Sequence, residues 1–282
     1  MSTITATETS APAPAPAARP AYRVTGPRVV RSEWAKLWSL RSTWITLGLG
    51  LLFLVAFGII AAAQFKSHFD SGRHMDKDWA DSTAVSLSLF GTNFAQLALG
   101  VLGVLVTAGE YSTGMIRSTL AAVPRRLPVL WSKSAVFGLV ALVVGTVGVF
   151  VAFLIASNIV SGTPAAMTIS HTGVVRSLLG AGLYLGLVGV IGAALGALLR
   201  SVAGGISVLV GTLMLVPGLM SLLPSSWKDN ITPYLPSHAG ESMFSLTHDS
   251  TALSPTAGLA VFVAWTVLAL AGAAYRLVRS DA

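Results

Sequence analysis

The stretch Gly109–Lys133 reads GEYSTGMIRSTLAAVPRRLPVLWSK. It is polar and basic, lies between two long apolar runs, and carries Glu110, Arg117, Arg125, Arg126 and Lys133. Pro124 and Pro128 break any helix that would continue through it, because proline lacks the N–H and restricts the residue before it. The flanking runs are long enough to cross a bilayer. The stretch therefore reads as a loop between membrane spans, a hinge or docking element where a soluble partner would meet the chain.

Working outward, the composition fixes the class. Of 282 residues, 54% are hydrophobic and only 10% charged, and the mean hydropathy of +0.75 lies far from soluble averages. A helical span needs roughly 20 apolar residues to cross about 30 Å of hydrocarbon. Long charge-poor windows near Thr43–Ala63, Ala84–Ala108, Ser134–Val160, Ser177–Leu199, Val202–Leu223 and Ala257–Tyr275 predict an all-α integral membrane protein with six transmembrane helices. The remainder is too scattered to form a soluble domain with its own core. The absence of cysteine excludes disulfides, thiol catalysis and thiolate metal sites. The net charge of +7 is spread over loops that flank the spans, which argues for membrane topology and against nucleic-acid binding.

Residues 1–27 are rich in Ala, Pro, Thr and Ser and predict a disordered cytoplasmic tail. No basic start and apolar middle precede Arg19, so the first span is expected to serve as an uncleaved targeting signal. Residues 28–41 predict an amphipathic interfacial helix. Val30, Trp34, Leu37, Trp38 and Leu40 share one face, and Ser32, Lys36 and Ser39 the other. Trp34 and Trp38 suit the headgroup layer, and Lys36 would face anionic lipid. The Lys66–Asp81 loop mixes charges with two histidines at no metal-ligand spacing. Glycines at 182, 186, 189, 192 and 196 recur at three- and four-residue steps and predict close helix packing. Pro217 predicts a kink in the fifth span, and Pro224–Pro255 a set of short or re-entrant helices. Thirteen of the 18 Lys and Arg fall at the two termini and in alternate loops, including Gly109–Lys133. The positive-inside rule makes that side cytoplasmic, with both termini inside.

No phosphate loop G-x-x-x-x-G-K-[ST] occurs, nor G-x-S-x-G or H-E-x-x-H. The chain is thus expected to be neither an ATPase nor a hydrolase of the common kinds, and no cofactor or metal is called for. The span centres hold amides, Asn93, Gln96 and Asn158, rather than the ionisable relay of a proton-coupled carrier. If transport is active, energy must enter from elsewhere, and the Gly109–Lys133 loop is the port.

The order SEWAKLWSLRSTW, GEYSTGMIRSTL, PRRLPVLWSK, ALLRSVAGGISVLVG and ITPYLPSHAGESMF within a six-span layout resembles the membrane subunits of ABC-2 type transporters, over about residues 28–279. The resemblance implies a permease subunit that pairs with a second permease subunit and with ATP-binding cassette subunits. It implies an exporter in a bacterial plasma membrane, with which an apolar or amphipathic cargo is compatible. It likens the 28–41 segment to a connecting helix and the loop after the second span to a coupling helix, which Gly114 and the prolines would shorten to about Ser112–Ala122. Glu110, Tyr111, Arg117 and Arg125 become the residues expected to meet the ATPase. On a continuous helix, Glu110 and Arg117 would lie near one face. For Arg126 and Lys133 the positive-inside rule and a specific role stand level, and Lys133→Ala is expected to do little. Two other classes compete: an ATP-independent carrier or channel, and a scaffold or enzyme that uses the histidine-bearing loops.

Overall fold

The structure, a computed structural model, describes residues 25–72, 76–123, 126–220, 222, 224, 229–246 and 252–279. Most of the expected amino-terminal tail, and Arg125 in the central loop, lie outside the described residues. Among those described, the chain is helical with no strand, and six helical segments are long and apolar enough to cross a membrane.

Helix α1 (Gly26–Ser39) carries proline in its first turn, where the missing N–H costs nothing. At Leu40 the backbone becomes extended and the chain turns into α2 (Arg41–Asp70). After the short α3 (Lys77–Ala80), the second span forms in two pieces, α4 (Ala84–Leu89) and α5 (Thr92–Ser112). A capping box in which Thr83 and Ser86 satisfy each other's backbone N–H groups starts α4. Gly114, in the left-handed region at φ 73°, then separates α5 from α6 (Met115–Ala122). The expected docking helix thus starts three residues later than the sequence suggested, because only glycine turns there without strain. The third span is α7 (Leu127–Ile159) and the fourth α8 (Val174–Leu199).

The fifth span comprises α9 (Val202–Val210), a five-residue π segment (Gly211–Leu215) and α10 (Val216–Met220). The proline effect expected at Pro217 takes this form. Its ring would collide with the carbonyl four residues back, at Leu213, and a slip in hydrogen-bond register absorbs the misfit. Beyond it, α11 (Pro236–Phe244) is short and largely buried. It docks on α8, where the Arg176 guanidinium donates to the carbonyls of Met243 and Ser245, and so belongs to the bundle. Helix α12 (Pro255–Arg279) closes the chain.

At the centre stands α8, packed between α5 and α7, and its glycines explain why it can be. A Cβ at Gly192 would lie 2.1 Å from the backbone oxygen of Gly100, and one at Gly196 2.7 Å from that of Val104. Gly182, Gly186 and Gly189 face Thr146, Leu142 and Phe137 on α7. One glycine stripe thus admits α5 on one side and α7 on the other. In a bilayer such contact must come from van der Waals approach, since lipid tails are as apolar as leucine. Gln96 adds a polar tie, accepting from the buried Tyr184 hydroxyl of α8.

Gly192→Ala is predicted to destabilise the protein by about 1–3 kcal/mol, because backbone cannot yield to the added methyl. Gly48→Ala, where nothing lies within 4 Å, should leave the apparent melting temperature unchanged or raise it. Thermal unfolding in detergent checks the contrast.

Candidate functional site

At one end of the bundle, side chains from α1, α5 and α7 form a closed ring of alternating charge. Lys133 Nζ donates to Glu33 Oε2 at 2.6 Å and to Glu110 Oε1 at 2.8 Å. Lys36 Nζ donates to Glu33 Oε1 at 2.8 Å and to the same Glu110 Oε1 at 3.0 Å. Lys36 also reaches Thr119 Oγ1 of α6 at 3.4 Å. Four elements separated in sequence therefore meet through one set of charges.

Local structure sets each position. Val29, Glu33 and Leu37 recur at four-residue steps and form the buried face of α1. Glu110 lies in the last turn of α5, before the Gly114 break, and Lys133 two turns into α7. The ring is dry: Glu33 is 2%, Glu110 4% and Lys133 4% exposed, while the Lys36 side chain keeps 30% of its exposure. An isolated buried charge would cost many kcal/mol, so such groups persist only when paired with good geometry. Here two carboxylates and two ammonium groups cancel. Burial lowers the Lys36 pKa, yet hydrogen bonds and charge from Glu33 and Glu110 outweigh it and hold the ammonium above the ordinary lysine value. A raised value means that this contribution is complete at neutral pH and is lost only as strongly alkaline pH passes it. Glu110 Oε2 is buried without a partner among the described residues, so Glu110 is the least satisfied member.

This arrangement revises four expectations. Glu110 faces inward and pairs with Lys36 and Lys133, and is unavailable to a partner's surface. Glu110 and Arg117 do not share a helix face, because Gly114 ends the first helix and α6 sets off anew, with Arg117 exposed and Ile116 its one buried residue. Lys133 is more than a topological charge, since it bridges both carboxylates of the ring. Lys36 likewise turns toward Glu33 and Glu110 and pairs with both. Tyr111 is half-buried, with the Arg200 guanidinium 5.1 Å above its ring, which ties the end of α5 to the end of α8. Arg126 donates to the Leu277 carbonyl on α12 at 3.2 Å. Trp34 and Trp38 stay outward, 41% and 48% exposed.

Glu33 and Thr119 escaped the sequence reading. The signal for Glu33 was present, an acid on the apolar 29/33/37 stripe of an otherwise basic helix. Thr119 offered none.

Two apolar cavities accompany the ring. One, of about 210 Å³, lies between α8, the π segment and α12, lined among others by Leu195, Leu209, Leu213 and Trp265. The other, of about 250 Å³, lies between α1, α2 and α7. Compared with known proteins, the chain matches no family model and no curated protein.

Lys133→Ala is predicted to lower stability by about 3–5 kcal/mol, the cost of leaving buried carboxylates short of a counter-charge. Arg117→Ala, on the exposed face of α6, should stay within about 0.5 kcal/mol. Unfolding of the purified variants in detergent separates the two.

Proposed function

We propose that the chain is the membrane-spanning permease subunit of an ABC-2 type transporter, an exporter of apolar or amphipathic cargo driven by separate ATP-binding subunits. In this reading α1 lies at the cytoplasmic membrane surface and α6 is the coupling helix that the ATPase pushes. The single observation that carries the reading is that the charge ring joins α1, α5 and α7 and reaches α6 through Thr119. A subunit without its own nucleotide site must receive force by contact, and force delivered to a two-turn helix is useful only if that helix is fixed to the spans. Exposed Met115, Arg117 and Ser118 give α6 an outward face for the ATPase. The ring lies behind it and spreads the displacement over two spans and the surface helix. The apolar linings of both cavities suit an uncharged cargo better than an ionic one.

Contact and transmission are separable. Arg117→Ala should weaken association with the ATP-binding subunit by up to about fivefold, the range of an exposed ion pair. Lys36→Met should leave association intact and reduce transport-coupled hydrolysis. Co-purification and ATPase rates in proteoliposomes read both. Normal association and turnover in both variants would contradict the coupling role, and transport without any ATPase would favour a carrier. Because the chain lacks cysteine, single cysteines report topology directly: Ser71→Cys and Ser245→Cys should label from outside intact cells, and Ser118→Cys should not.

A further inference from the structure

The elbow between α1 and α2 is built around three tryptophans. Trp34 and Trp38 lie 5.5 Å apart between ring centroids, and Trp38 and Trp44 4.2 Å apart. Trp44 Nε1 donates to the Trp38 carbonyl at 3.3 Å and so fixes the turn at Leu40. Beneath them lies the cavity of about 250 Å³, walled by the tryptophans with Leu37, Leu47, Leu139 and Val143. An apolar cavity of about 150 Å³ is enough to hold benzene, so this one accommodates a run of methylenes.

Two arginines stand near the cavity-lining tryptophans in the sequence. Arg31 lies one and two turns before Trp34 and Trp38, on the same face of α1, and Arg41 lies one turn before Trp44 on α2. Both arginines are exposed, and neither has an ion-pair partner among the described residues. Lys36, the neighbouring cation, is already committed to the ring. The elbow thus carries two unneutralised guanidinium groups within one or two helical turns of the tryptophans that wall an apolar slot.

We infer that the α1–α2 elbow is a binding site for one anionic phospholipid, with an acyl chain in the slot under Trp34, Trp38 and Trp44 and the phosphate held by Arg31 and Arg41. A zwitterionic lipid would fill the slot but bring no net charge to the guanidinium pair. The site rests on α1 lying at the membrane surface, and it does not depend on the coupling role. It has a consequence for that role, because Trp34 directly follows Glu33 and Leu37 directly follows Lys36 in α1. A lipid seated in the elbow braces the helix that supplies half of the ring.

Native mass spectrometry of the purified chain in detergent, titrated with phosphatidylglycerol or phosphatidylcholine, tests the site. One phosphatidylglycerol should bind ahead of phosphatidylcholine, by about fivefold for each arginine. Arg31→Gln with Arg41→Gln should abolish that preference while phosphatidylcholine binding is unchanged. Val143→Trp, which fills the slot and leaves both arginines in place, should lose the tight lipid. Equal affinity for the two lipids in the native chain, or unchanged phosphatidylglycerol binding in Val143→Trp, would overturn the site. Quenching of tryptophan emission by brominated phosphatidylcholine in nanodiscs, compared between the native chain and a Trp34→Phe/Trp38→Phe variant, tests the surface placement separately. Quenching that depends on these tryptophans supports the placement; its absence overturns placement and site together, whereas quenching without a phosphatidylglycerol preference overturns the site alone.

Discussion

Two buried carboxylates can persist beside a membrane only if counter-charges are delivered to them, and here both lysines that do so must arrive from particular helices. Glu33 and Lys36 come from α1, Glu110 from the end of α5 and Lys133 from the start of α7. Lys133 touches both acids and Lys36 touches both acids, so removing any member leaves an unbalanced buried charge. The helix ends are thereby held in register by a requirement more exacting than apolar packing. Greasy surfaces slide past one another in lipid at small cost, whereas a displaced ammonium loses its partner.

The rest of the bundle supplies the positions from which those charges converge. The α8 glycines bring α5 and α7 onto a common axis at backbone contact, which sets where Glu110 and Lys133 end up. The Gly114 turn then detaches α6 from α5, leaving Glu110 inside and Arg117 outside. In the proposed transporter this division has mechanical sense: the exposed helix receives the ATPase, and the buried ring passes on its displacement. In the proposed lipid site, the elbow tryptophans and their arginines would complete the end of the bundle by fixing α1 against the lipid.

The spans were legible in the sequence because each is a long run with an intrinsic chemical signature, and their observed limits match the apolar windows to within several residues at most. The packing role of Gly182, Gly186, Gly192 and Gly196 was legible for the same reason, since small residues at helical spacing declare a contact face. The ring was not. Lys133 and Glu33 are 100 positions apart, and periodicity within one helix cannot report which distant charge will face it. Counting loop charges also misled, because the positive-inside rule treats Lys133 as one more cytoplasmic cation. Reading Glu110 and Arg117 along one helix failed on a single backbone torsion at Gly114, whose left-handed turn restarts the helix in a new direction. The π segment before Pro217 lay in between: proline announced a disturbance, while its form depended on the neighbours that absorb it.

If the ring is the constraint that holds α1, α5 and α7 together, its members must be thermodynamically coupled. A double-mutant cycle between Glu33→Gln and Lys133→Met measures this most directly, by apparent melting temperature in one detergent at neutral pH. Each single change leaves an odd buried charge. Together they leave Lys36 and Glu110 as a balanced pair. The double variant is predicted to melt no lower than the less stable single variant. Losses that simply add would contradict the ring as the common fastening of these helices.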